Sequence, residues 1–344
     1  MKTFKFGKRL IGDGEPCYIL FEGGGTHTGI KEAKELVDIA VAAGADAVKF
    51  QYVDSDRLYH DKTIQIKFKT PTGEKIANRY EISKARNLSK EEWEKLIAYC
   101  KEKEITFFAT ACFPEDVDFL VENGTAAIKI NAGDSDHYHL IEYAASKGIP
   151  VILDGRARYD DLEKGVQICE AQGNSQIIIM HCPPGYPAKH EKVNLNVIPT
   201  LKQIYHYPIG YTDHSEGMYM NFAALALGVN MIEKNITKDV ATESIEHMMA
   251  LEIEHAKEFV EKIRAVEAAF GTSREIFSSQ VGSGGRRSIV AKHPISKGKQ
   301  ISINDLDFKR PGTHIPPGRY QEVVGKIAKW DIKENEMIDW NDIE

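Results

Sequence analysis

Eight short apolar runs, each followed by an amphipathic stretch, occupy most of the first 270 residues of this 344-residue chain. The runs are 17–22 (CYILFE), 47–51 (AVKFQ), 105–110 (ITFFAT), 126–131 (AAIKIN), 150–154 (PVILD), 176–181 (QIIIMH), 208–213 (PIGYTD) and 230–235 (NMIEKN). Most are rich in β-branched or aromatic residues, as buried parallel strands are. Helical spacing fills the gaps at 30–43, 89–100, 114–122, 138–147, 159–172, 197–205, 217–227 and 246–270. Ser89-Lys90-Glu91-Glu92 reads as a capping box, and Gly44 as a helix stop. Such alternation folds either as a closed barrel or as a long doubly wound sheet. The polar residues decide. Glu22, Lys49 and Gln51, Thr110, Lys129 with Asn131 and Asp134, Asp154 and Arg156, His181, Thr212 to His214, and Glu233 with Asn235 all fall at the C-terminal ends of the runs. In a barrel these ends converge on one rim, where such enzymes place their chemistry. An open sheet concentrates function at one crevice. A ring of polar ends therefore predicts a (β/α)8 TIM barrel over residues 1–270.

The segment from Asp54 to Leu88 is too long for a simple strand-to-helix loop, which suggests a lid or binding loop. Residues 271–287 are rich in Ser and Gly and read as a linker. Residues 288–344 form a small β-rich module of short strands and turns. The net charge of −7 argues against nucleic acid as a partner. Five widely spaced cysteines without a CxxC argue against a disulfide framework or a structural zinc site. The polar start and the lack of a long apolar run suggest neither signal peptide nor membrane span, so a cytoplasmic location is expected.

Each motif has a bland reading beside the chemical one. The Gly23-Gly24-Gly25 turn permits close ligand approach but is equally an ordinary loop, and it lacks a dinucleotide fingerprint. Lys49 and Lys129 lie inside apolar strands, where an ammonium is costly unless it meets an anion. Two such lysines on one rim suit a phosphate or carboxylate, although a barrel lysine also serves Schiff-base aldolases. His214 stands where a metal-binding imidazole would, with Asp213 beside it to orient ligands or fix a tautomer, but a lone histidine is more often simply hydrogen-bonded. Cys182 follows His181, yet neighbours on a strand point to opposite faces, so that pair is badly placed to act together. Arg310 alone reads as a surface arginine.

With these residues in place, the chain resembles the sialic acid (N-acetylneuraminate or nonulosonate) synthase family. The resemblance rests on Phe21 to Gly29, Gly44 to Gln51, Tyr80-Glu81-Ile82, Leu88-Ser89, Ile128-Lys129-Ile130, His181-Cys182, Tyr186-Pro187 and Asp213-His214. It continues through Ser288–Ile343, similar to the family's antifreeze-like (SAF) domain, with Lys309 to Gly312 and Val324-Gly325-Lys326. It implies a phosphoenolpyruvate-dependent synthase acting on an N-acetylmannosamine-like aldehyde. Glu22, Lys49, Lys129, Asp213 and His214 are then catalytic candidates. Lys49, Thr110, Lys129 and Thr212 match positions that hold phosphoenolpyruvate. Gln51, Asp134, Tyr186 and Glu246 match positions that line the sugar. It also implies a domain-swapped homodimer in which Arg310 reaches the sugar across the subunit interface.

The chain departs from the family where the second metal histidine is replaced by Asn235, a weaker and harder ligand. His214 and Asn235 are thus expected to hold Mn2+ or Mg2+ loosely, or no metal at all. Asp154, Arg156 and Ala132 replace family residues at the phosphate, which suggests a grip moved to Arg156. Two other readings stay open. One is a pyruvate-type aldolase working through Lys49 or Lys129. The other is a barrel that binds a sugar or anion without turnover.

Overall fold

The computed structural model describes residues 2–155, 158–271 and 282–344. Two compact units divide the chain at Phe270. In the first, eight parallel strands close into a barrel: β1 Tyr18–Glu22, β2 Ala47–Gln51, β3 Thr106–Thr110, β4 Ile128–Ile130, β5 Val151–Asp154, β6 Ile177–His181, β7 Ile209–Asp213 and β8 Met231–Asn235. β8 returns to β1 in a register running from Met231 opposite Tyr18 to Asn235 opposite Glu22. The main helices are α1 Ile30–Ala43, α2 Lys90–Glu102, α3 Pro114–Glu122, α4 Tyr138–Ser146, α5 Tyr159–Ala171, α6 Val197–Ile204, α7 Tyr219–Ala226 and α8 Ile253–Ala269. None is long and apolar enough to cross a membrane among the described residues.

The strands read as near-continuous apolar runs because both faces are covered. Residues such as Phe21, Phe50, Ile128, Ile130 and Ile232 point outward into the layer shared with the helices. Leu20, Ala47, Phe108, Ile152, Ile178 and Met231 fill the barrel interior. Helix α1 buries Ala33, Leu36, Val37, Ile39, Ala40 and Ala43 and ends at Gly44, whose φ of 78° lies in the left-handed region that glycine tolerates. Helix α2 opens with both hydrogen bonds of the Ser89–Glu92 capping box.

One feature departs from the sequence expectation, the start of the last helix, and two others lie beyond it. Residues before β1 form a two-stranded hairpin, Phe4–Phe6 with Arg9–Ile11, whose Phe6 and Ile11 are fully buried against the interior layer. Arg9 anchors it to Asp46 at 2.6 Å. The last helix begins at Ile253, not Glu246. Residues 246–251 are drawn instead into a turn that pairs Leu251 with Ile236 beyond β8. The long excursion contains a hairpin, Gln65–Thr70 with Gly73–Asn78, followed by the short helix Arg79–Lys84.

The second unit, residues 271–344, has its own small core, including Ile289, Ile295, Ile301, Ile315, Ile332 and Ile338. Its antiparallel hairpin joins Ser288–Ala291 to Leu306–Lys309. Most of the expected linker, residues 272–281, lies outside the described residues.

Candidate active site

Strand register assembles the site. Glu22 on β1 lies opposite Lys49 on β2, Gln51 opposite Thr110 on β3, and Thr110 opposite Lys129 on β4. Alternate side chains on a strand face opposite ways, so Lys49 and Gln51 turn inward while Phe50 turns out. The C-terminal rim encloses a cavity of about 510 Å3. Glu22, Lys49, Gln51, Thr110, Lys129, Asp134, Asp154, Tyr186, Thr212, His214 and Glu246 all line it. So does Glu233, which the sequence reading noticed as a polar strand end but did not count as a site residue.

Glu233 is the hub. Its carboxylate meets the Lys129 ammonium at 2.6 Å and the Lys49 ammonium at 3.4 Å, and Lys49 also pairs with Glu22. Asp154 lies 4.0 Å from Lys129. All five side chains are nearly inaccessible to solvent. Burial alone would raise the Glu233 pKa, but Lys129 and Lys49 carry it down to about 2. Burial raises that of Glu22, with Lys49 opposing. For Lys49, burial favours the neutral amine, yet Glu22 and Glu233 outweigh it and keep the ammonium charged. A charged lysine is no nucleophile, which counts against Lys49 as a Schiff-base former.

His214 packs against the Tyr186 ring at 4.5 Å, and its Nδ1 lies 3.8 Å from the Cys182 thiol. The thiol's imidazole neighbour is thus His214 across the strands. His181 instead bonds through Nε2 to the Val193 carbonyl at 2.7 Å. Glu246 enters through the turn that replaces the start of the expected helix. It accepts from Asn235 Nδ2 at 2.9 Å and meets Arg86 at 3.4 Å. The glycine turn makes room for it: a Cβ on Gly25 would overlap the Glu246 carboxylate. From the excursion, Lys67, Arg79 and Arg86 add cations to the cavity wall. These were illegible in the sequence, because nothing in a polar loop marks which side folds over a rim.

Two residues proposed from the sequence stand outside the cavity lining. Asp213 faces outward from β7, fully buried, where it receives the Lys234 ammonium at 2.7 Å, Asn221 at 2.6 Å, the Tyr211 hydroxyl at 3.0 Å and the Ser215 backbone and hydroxyl. The alternation that turns Thr212 inward turns Asp213 out, opposite Lys234 in the β8 register. Asp213 thus fixes the strand end from which His214 emerges and does not line the cavity. Asn235 is buried behind Glu246; its Nδ2 is engaged there and its Oδ1 has no hydrogen-bond partner. Arg156 lies outside the described residues. Arg310 is exposed in the second unit, at the end of its hairpin.

The donors at the ends of β7 and β8 suit a divalent cation poorly. One imidazole is offered, and the second donor is a single amide oxygen, that of Asn235, a weaker ligand than imidazole. Among the described residues no group of three or more His, Cys, Asp or Glu is arranged to hold a metal.

Comparison with known proteins agrees with this architecture. Residues 36–275 match the NeuB family and residues 286–344 match the SAF domain. An uncharacterized protein of Methanocaldococcus jannaschii is 37% identical over 100% of this chain and 99% of its own length. The N,N'-diacetyllegionaminic acid synthase of Legionella pneumophila is 30% identical over 97% of this chain and 96% of its own. The crystal structure of the spore coat polysaccharide biosynthesis protein SpsE of Bacillus subtilis superposes with a TM-score of 0.68 at 31% identity, covering 100% of this chain and 99% of that one.

Proposed function

The chain belongs to the NeuB family, and on that premise we propose that it joins phosphoenolpyruvate to the aldehyde of an N-acetylmannosamine-like amino sugar, giving a nonulosonic acid and inorganic phosphate. One observation carries the reading: Lys49, Lys129 and His214 line a single cavity with the acid–base pair Glu22 and Glu233 between them. In the proposed reaction the methylene carbon of phosphoenolpyruvate attacks the aldehyde carbon and forms the new C–C bond. The aldehyde oxygen takes a proton, water adds at the enol carbon, and phosphate leaves as that carbon becomes a ketone.

Lys49 and Lys129 supply fixed positive charge for the donor's carboxylate and phosphate. His214 stands as the proton donor to the aldehyde oxygen, its ring steadied by Tyr186 and Cys182. Glu22, with its pKa raised by burial, is suited to move the proton of the attacking water. Gln51, Asp134, Tyr186 and Glu246 shape the sugar end. No step depends on Mn2+ or Mg2+, because the donor set fits such an ion poorly. As part of the same proposal, two chains pair so that the Arg310 of one serves the barrel of the other.

Incubation with phosphoenolpyruvate and a panel of N-acylated amino-sugar aldehydes is expected to release phosphate and a 2-keto acid in equal amounts. Absence of phosphate release across the panel, with ligand-induced thermal stabilisation retained, would establish a binding protein instead.

A further inference from the structure

The glycine turn after β1 runs on to His27, and the excursion ends near Arg86. These two residues meet at a second cavity of about 440 Å3, separate from the rim site in its lining except for Ile82 and Arg86. His27 is 1% exposed. Its Nδ1 accepts from the Gly29 backbone N–H at 3.3 Å. Burial, with Arg86 assisting, lowers its pKa to about 4, so the ring is neutral near pH 7 and its single proton sits on Nε2. That Nε2 is buried without a partner. Arg86 reaches Glu246 with Nη1, while its Nη2 is also buried without a partner. Both residues line the cavity, and each leaves one buried donor without a partner, the guanidinium one permanently charged.

The two carboxylates in the lining each take their donors with one oxygen. Glu32 takes the Thr28 N–H and hydroxyl, both at 2.8 Å, and Asp239 takes the Ala241 N–H at 2.8 Å. Helix α1 begins beside the cavity with no side-chain cap on Gly29, which adds its positive end. A cation is excluded by Arg86. Two unpartnered donors, one of them cationic, call for a ligand made of acceptors.

We propose that this cavity binds a small oxyanion, phosphate or carboxylate, between His27 Nε2 and Arg86 Nη2. Because Arg86 also holds Glu246, an occupant here competes for the cation that anchors one wall of the rim cavity. The site stands on its own geometry, independent of the reaction proposed above.

Two experiments on the full chain test it. A crystal soaked in selenate is expected to show an anomalous peak within hydrogen-bonding distance of both nitrogens. Inorganic phosphate and acetate, titrated separately by calorimetry, then tell phosphate from carboxylate. Whichever binds here should lose affinity at least tenfold in His27→Phe. It should lose as much in Thr242→Glu, which sets a carboxylate at the exposed mouth of the cavity without disturbing the core. A peak confined to the rim cavity, or phosphate and acetate binding unchanged in Thr242→Glu, overturns the proposal.

Discussion

Replacing Lys234 by Met tests whether Asp213 is a reacting group or a buried anchor. Both side chains are fully inaccessible, the ammonium lies 2.7 Å from the carboxylate, and it also donates to the Ser215 carbonyl at 2.6 Å. Removing one partner of a buried pair costs about 3–5 kcal/mol, because the other charge is left behind. Asp213 keeps donors from Tyr211, Ser215 and Asn221, which places the loss near the lower end, at about 3 kcal/mol. For a unit of this size, about 2 °C of melting temperature accompanies each kcal/mol, so a fall of about 6 °C is expected by calorimetry. The double variant Asp213→Asn, Lys234→Met should recover most of that loss, since no charge is then stranded. Burial raises the Asp213 pKa, but Lys234 and Ser215 pull it below the ordinary value. A depressed carboxylate stabilises the fold above its unfolded pKa of about 4, and that contribution disappears as pH falls through the folded value. The gap between wild type and Lys234→Met should therefore narrow in acid. A Lys234→Met protein that melts within 2 °C of wild type would refute the anchor assignment.

Three further outcomes follow from the same geometry. Lys129→Met strands Glu233 beside Lys49 alone, and should lower kcat/KM by about 100-fold or more, read by phosphate release. Gly25→Ala forces the Glu246 carboxylate away from Asn235 and Arg86, with an overpacking cost of about 1–3 kcal/mol in denaturant unfolding and a raised KM for the sugar. Asn235→His should tighten Mn2+ binding measured by calorimetry, whereas mild chelation of the wild type should leave activity largely intact.

Much of the barrel was legible because burial on both faces leaves a coarse signal. Strands read as apolar runs, and their polar ends mark the rim without any knowledge of register. What stayed hidden depends on finer alternation or on distant packing. Thr212, Asp213 and His214 look equivalent in sequence, yet the twofold period sends Asp213 outward to Lys234. That period was available and could have separated them. The Glu246 turn was read as helix because its apolar spacing is helical, while its pairing to Ile236 is a tertiary event. Arg86 carried no local signal and His27 only the weak one of a lone histidine in a loop, since an unsatisfied donor exists only once neighbours surround it.

The N-terminal hairpin has a consequence for how this barrel can vary. Phe6 and Ile11 stopper the floor, so the lower half is a sealed plug of Tyr18, Leu20, Phe108, Ile178 and Met231. Cohesion is thereby concentrated at the end opposite the rim. Loops at the mouth can be exchanged for new ligands while the foundation that holds the staves together is left untouched.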